Sequence, residues 1–203
     1  MATGLIPRLI SGHSSSQSGA TPPVLAFLIR SSSRDPGVTT LHAAGYPTDA
    51  PPVLSVQSTN KSKINLFLFK GLPGTSLALG DASSHHFTSS SDLRVRGQNI
   101  RLKKSELTGD FSMTCPPVGK LKWKANKLTG SPMVLCDSIG DRLAEIKSTG
   151  KFGFGGDKLL EILVPCDELF VELVVLSAIA AKALVKAENE AVVGVMDALG
   201  AAA

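Results

Sequence analysis

The sequence predicts a mainly β protein of the α+β class, in which a closed antiparallel barrel of about 10–12 strands wraps around one hydrophobic C-terminal helix. Between Leu169 and Ala181 only Glu172 and Ser177 are polar, so a helix there has no side suited to solvent. Short apolar segments separated by turns fill most of the preceding chain. Strand signals therefore come first and the helix signal last, which disfavours alternating βαβ units. Strands that surround the helix are the simplest way to bury all of it.

Composition limits the class of protein and its compartment. The chain has 203 residues, 43% hydrophobic and 19% charged, which suits one folded domain with tails. Its three cysteines are odd in number and far apart, and the N-terminus lacks the long apolar stretch of a secretory signal. These features predict free thiols in a reducing, cytoplasmic location. We expect a monomer.

The chain divides into three parts. Residues 1–21 are rich in Ser and predict a flexible tail that ends at Pro22 and Pro23. Residues 22–187 predict the barrel with its central helix, and residues 188–203 predict a helical or frayed C-terminal tail.

In the first half of the barrel, strands are indicated by short apolar runs bounded by Gly, Pro and Ser. The predicted strands are 24–30, 53–58, 64–69 and 76–79, and the predicted loops are 32–52 and 80–92.

Alternation of apolar and polar residues is clearer in the second half. Leu121 and Trp123 alternate with lysines, which predicts that Trp123 anchors the core against the helix. The residues from 93 to 102 predict a hairpin with its turn at Gly97, Gln98 and Asn99. The other predicted strands are 111–115, 119–125, 133–136, 142–147 and 158–164.

The helix is predicted over 167–187. Asp167 and Glu168 suit its first turn, and Lys182 and Lys186 suit its end, before a polar break at 188–190. A tail-anchored membrane span is the alternative interpretation. The apolar segment 169–181 would be about 20 Å long as a helix, whereas a bilayer core needs about 30 Å. A buried core helix is therefore the preferred interpretation.

Three segments resemble the tubby-like superfamily, which includes LURP-one-related proteins and phospholipid scramblases. Val134–Ile146 resembles the family's strand, Asp-x-x-Gly turn and strand. Gly119–Lys124 resembles the strand before it in fungal members, and Lys158–Ala181 resembles the fungal last strand leading into the central helix. The resemblance implies twelve strands around a helix, so the missing strands are expected within 32–52 or 80–92.

A basic segment supplies the candidate binding residues. Residues 94–127 hold nine Lys and Arg against two acids, a net charge of +7, and alternation places many of them on the barrel exterior. The resemblance to tubby implies a phosphoinositide ligand for such a surface. The alternatives are a solvated exterior without a ligand, or a protein-interaction module. The candidates are Arg94, Arg96, Arg101, Lys103, Lys104, Lys120, Lys122 and Lys124.

Other functional classes have weaker support in the sequence. Few aromatic residues and no RNA-binding signature argue against nucleic acid. Cys166 precedes the helix, where a thiol pKa can fall, yet Asp167 opposes a thiolate, so a cysteine-dependent enzyme is the less favoured alternative. His85 and His86 lack further ligands at metal-binding spacing. The glycines of 152–157 lack a phosphate-loop motif. We expect no catalytic site, cofactor or metal.

Overall fold

The computed structural model describes residues 22–47, 49–59, 65–84, 89–116, 118–125, 133–149 and 157–200, with the backbone alone from 190 onwards. It contains twelve strands and one helix. The strands are β1 Leu25–Ser31, β2 Val38–Ala43, β3 Leu54–Ser58, β4 Asn65–Lys70, β5 Ala78–Ser84, β6 Ser90–Val95, β7 Gln98–Lys104, β8 Phe111–Cys115, β9 Gly119–Ala125, β10 Met133–Cys136, β11 Arg142–Ser148 and β12 Lys158–Ile162, and the helix is α1 Glu168–Gly200.

The twelve strands form a closed antiparallel barrel, as predicted. Each strand pairs with its neighbours in the sequence, and β12 pairs with β1 to close the sheet. Leu160 of β12 lies opposite Phe27 of β1 and Ile146 of β11, and all three side chains are buried. Closure leaves no sheet edge with unpaired backbone groups.

The helix occupies the interior of this barrel. Seven consecutive residues, Glu172 to Ala178, are each at most 4% exposed. Two turns of a helix can be buried on every face only if other structure surrounds them. Inward side chains from all twelve strands and from the helix form one core. The predicted arrangement of strands around the helix is confirmed.

Two predicted loops contain strand. β2 lies within the predicted loop 32–52, while β5 and β6 cover most of the predicted loop 80–92. These strands are rich in Thr, Ser, Ala and Gly, so their apolar alternation is weak. The helix backbone lies closest to β4, β5 and β6. Gly80 of β5 permits the close approach of β6, because a Cβ atom at position 80 would lie 2.5 Å from the carbonyl oxygen of Arg94.

The helix enters the barrel at one end and continues beyond the other. We call the end that carries the β2–β3, β4–β5, β6–β7, β8–β9 and β10–β11 turns the proximal end, since α1 begins there after β12. The opposite end is the distal end. The helix has 33 residues, which corresponds to about 50 Å, longer than strands of seven residues or fewer.

The polar break predicted at 188–190 does not end the helix, which continues to Gly200. Lys182 and Lys186 are therefore not at its C-terminus, and the last turn has no basic residue. Within the described residues, no helix combines the length and apolar character needed to cross a bilayer. The predicted tail 1–21 lies outside the described residues.

Trp123 anchors the wall to the helix, as predicted. Its Nε1 donates a hydrogen bond of 3.0 Å to Ser177 Oγ, and Ser177 Oγ donates to the carbonyl oxygen of Val174 at 3.2 Å. Both Trp123 and Ser177 are fully buried. Ser177, one of two polar residues in the apolar stretch, therefore satisfies the one polar atom of the indole.

Ser177→Ala should lower the free energy of unfolding by about 1–3 kcal/mol, because the buried indole N–H loses its acceptor. Urea titration followed by tryptophan fluorescence measures this directly. Ser112→Ala, on the exterior of β8, is the control and should change it by less than about 0.5 kcal/mol. Equal midpoints for wild type and S177A would show that the hydrogen bond contributes nothing.

Lys182 is a further polar residue that the helix carries into the barrel, beside Glu172 and Ser177. Burial, together with the nearby charge of Lys158, lowers the pKa of Lys182 to about 7. Among the described residues no carboxylate pairs with Lys182. Below about pH 7 the folded protein therefore holds a poorly solvated cation.

Lys182 should make stability increase with pH from about 7 to 10.5, because in that interval the unfolded chain binds a proton that the folded protein does not. Lys182→Met should remove this rise and should raise the melting temperature most at pH 6.5. Melting temperatures at pH 6.5, 8 and 10 test it, with the exposed Lys103→Met as control. Parallel pH profiles for wild type and K182M would contradict the argument.

Candidate anion-binding groove

A groove of about 440 Å³ lies on the outer face of β7, β8 and β9. Alternation explains its composition, because Ile100 and Leu102 of β7 point into the core and leave Arg101 and Lys103 outside. The residues that line the groove are Arg101, Lys103, Ser112, Met113, Thr114 and Lys120.

Strand register places hydroxyl groups between cations. Lys103 of β7 lies opposite Ser112 of β8, and Ser112 lies opposite Lys122 of β9. Thr114 lies opposite Lys120 in the same way. Strands are about 4.8 Å apart, so backbone positions on β7 and β9 are separated by about 10 Å. An anion between them can receive hydrogen bonds from lysines on both sides and from the hydroxyls below.

Ion pairs neutralise some of these cations. Arg101 Nε lies 2.7 Å from Asp92 Oδ1, and Lys122 Nζ lies 2.8 Å from Asp110 Oδ2. The hydrogen bond with Asp92 raises the pKa of Arg101. Within the described part of the chain, no acid is paired with Lys103, Lys120 or Lys124.

The part of the barrel formed by β11, β12 and β1 is different. There Arg30 pairs with Asp157 at 2.9 Å, and Lys147 pairs with Glu161 at 2.6 Å. Exterior cations on those strands are matched by acids at contact distance. On the outer face of the described strands, the cations that lack an acid partner are therefore concentrated on β7 and β9.

Five of the eight predicted candidates do not line the groove, and three of these lie away from it. Arg94, on the exterior of β6, forms an ion pair of 2.7 Å with Asp81 of β5. Lys104 falls on the inward side of β7 by alternation and contacts Glu188 of the helix at the distal end. The third is Arg96, which also binds the helix. Lys122 and Lys124 lie on β9 beside the groove without lining it.

Arg96 forms the two-residue β6–β7 turn with Gly97, not the predicted Gly97–Asn99 turn. Their φ angles are 46° and 81°, as required by a turn that matches strand twist. Arg96 Nε and Nη2 donate to the two carboxylate oxygens of Glu172 at 2.8 and 2.7 Å, and Nη2 also donates to Glu168 at 2.7 Å. These bonds raise the pKa of Arg96 and lower the pKa of Glu168. Arg96 therefore acts as a clamp on the first turns of the helix.

Comparison of the chain with protein-family models, curated proteins and solved structures found no match. The resemblance to the tubby-like superfamily stays a prediction, and the function is therefore inferred from the groove on β7–β9.

Two of the thiols, those of Cys115 and Cys166, have a raised pKa, which disfavours the nucleophilic thiolate at neutral pH. Burial raises the pKa of Cys166, and the neighbouring Asp167 raises it further. Burial likewise raises the pKa of Cys115. Cysteine chemistry is disfavoured for this reason.

The described ranges contain no cluster of three or more His, Cys, Asp or Glu side chains that could hold a metal ion. His85 and His86 lie outside those ranges, as do residues 152–156 of the glycine-rich segment.

Arg96→Asn should destabilise the fold by about 2–3 kcal/mol, because it leaves Glu172 buried without its cation. Asn tolerates the positive φ of this position, so the loss reports on charge and not on backbone strain. Chemical denaturation of R96N, E172Q and the double variant forms a mutant cycle. In the double variant much of the stability should return, and strictly additive losses would argue against the clamp.

Proposed function

We propose that this protein is a non-enzymatic binding module that recognises anionic phospholipid headgroups, of the phosphoinositide class, through the groove on β7–β9. The observation that carries the proposal is the pair Lys103 and Lys120 on opposite sides of the groove, with Ser112 and Thr114 between them. Neither lysine is paired with an acid among the described residues.

The chemistry of the lining favours phosphate groups. Ammonium groups supply charge-assisted hydrogen bonds, and hydroxyls supply further donors. Arg101 is held in a fixed orientation by Asp92, which neutralises its charge, so the net positive charge of the groove comes from Lys103 and Lys120. A phosphorylated sugar or inositol ring with more than one phosphate would contact both walls of the groove together.

The fold adds independent support. A twelve-stranded barrel around a helix is the architecture that the resemblance to the tubby-like superfamily implies. Phosphoinositide binding is known in tubby itself. The interior is occupied by the helix, so a ligand has to be recognised on the exterior or at the ends.

Flotation with liposomes tests the proposal. Wild-type protein should bind phosphatidylcholine vesicles that contain a phosphoinositide bisphosphate, and binding should weaken as salt rises. Lys103→Glu and Lys120→Glu should each reduce binding about tenfold, since each reverses one charge beside the headgroup.

Arg34→Glu is the matched control, because Arg34 is exposed in the β1–β2 turn on the other side of the barrel. It changes net charge equally and should leave binding nearly unchanged. Equal losses in all three variants would indicate a nonspecific charge effect. Absence of binding by the wild type would reject the lipid ligand and favour a protein-interaction module, to be sought by pull-down.

A further inference from the structure

Exposed apolar side chains surround the proximal end of the barrel. Of the nine large hydrophobic residues that are exposed in the described part of the chain, eight lie at this end. Leu77 is 91% exposed and Ile139 is 79% exposed. Leu72 lies on the same turn as Leu77, Tyr46 and Val118 lie on other turns of this end, and the remaining three lie at the beginnings of β1 and β3.

The arrangement is more informative than the exposure alone, because single exposed apolar residues are common on protein surfaces. Five hairpin turns are present at the proximal end, and four of them carry an exposed large apolar side chain. The fifth is the Arg96–Gly97 turn, which is tied to the helix. In a closed barrel these turns form a ring, so a flat partner can touch all of them together.

The backbone holds one of these tips outward. Asp137 Oδ1 accepts hydrogen bonds from the backbone N–H groups of Ile139, Gly140 and Asp141, at 2.8–3.0 Å. Gly140 has φ 99°, which favours glycine. The turn is therefore built internally, and its carboxylate is already satisfied while Ile139 projects into solvent.

The ring is continuous with the basic groove. Val118 lies in the β8–β9 turn, and Lys120, which lines the groove, follows it by two residues. The same end also carries exposed charges, namely the acids Asp49, Asp141, Asp167 and Glu168 and the cations Lys70 and Arg142. Charge at the ring is thus mixed, and attraction to anionic lipid comes from the groove beside it.

We propose that the proximal end is a membrane-contact surface, which inserts Leu72, Leu77, Val118 and Ile139 into the outer part of a lipid bilayer. This inference extends the proposed function and rests on it for the choice of lipid as the flat partner. Apolar side chains on separate turns around the proximal end can each enter a lipid bilayer, because a bilayer is planar and fluid. A molecule tilted toward the β7–β9 wall brings the ring and the groove to the same membrane.

An environment-sensitive fluorophore on single cysteines tests the inference. The label is placed at L77C or I139C in a C166S background, where Cys115 and Cys136 are buried. On phosphoinositide-containing vesicles both labels should shift to the blue and be quenched by lipids with a spin label in the acyl chain. L107C is the matched control, because Leu107 is 90% exposed but lies in the β7–β8 turn at the distal end. Its emission should not change.

The double variant L77S/I139S should reduce vesicle affinity about tenfold, because it removes apolar area that leaves water on insertion. Circular dichroism should show unchanged folding, since both residues are exposed. If wild type binds in a manner sensitive to Lys103 and Lys120 while labels at 77 and 139 stay in water, insertion is rejected and the headgroup proposal stands. If the labels enter lipid but K103E and K120E bind normally, the groove is rejected and the inserted ring stands. No binding to any vesicle rejects both.

Discussion

The rest of the structure depends on burying a helix that has no polar face. Phe170 to Leu184 places apolar side chains around the full circumference, and one sheet packed on one side would leave most of them in water. Twelve short strands closed into a barrel remove that area from water in every direction. Closure also satisfies the backbone of every strand, so the same event buries the helix and removes the sheet edges.

Polar contacts then specify how the helix sits inside the barrel. Glu172 meets Arg96 at the proximal end, Ser177 meets Trp123 in the core, and Glu188 meets Lys104 at the distal end. Apolar packing alone tolerates small rotations and shifts of a smooth helix, whereas a displaced Glu172 or Ser177 would leave a buried polar group unsatisfied. We infer that these three contacts set the depth and rotation of the helix, a role that buried polar groups have in some helical assemblies.

Much of this fold follows from local sequence signals. Residues 111–115 and 119–125 alternate cleanly between apolar and polar, and the observed bounds of these two strands and of 133–136 agree with prediction. β2 and β5 were harder, because Thr, Ser, Ala and Gly give weak alternation, and their strand state depends on neighbours in the closed sheet. The central helix is longer than the predicted 167–187 because polar residues 188–190 do not break it, and its continuation to Gly200 agrees with the helical alternative predicted for the 188–203 tail.

The candidate site was less predictable than the fold. Charge alone predicts eight cations as binding candidates. Alternation already places one of them, Lys104, on the inward side of β7 with Ile100 and Leu102. The φ of Arg96 and its distant partner Glu172 depend on tertiary structure. Which lysines lack an acid depends on side-chain geometry across strands. Sequence could therefore indicate the basic strands but could not separate Lys103 and Lys120 from the cations that serve the fold.

The division of cations has a physical basis in the filled barrel. The helix and the inward side chains pack together in the interior of the described barrel, so we assign recognition to exterior side chains and to the turns at the ends. At inward and end positions, Lys104 and Arg96 pair with carboxylates of the helix, whereas Lys182 has no such partner and its pKa is lowered, because an unpaired charge near a low-dielectric core is costly. Outward positions carry no such requirement. Lys103 and Lys120 can therefore remain without an acid partner at little cost in stability, which leaves them available to an external anion.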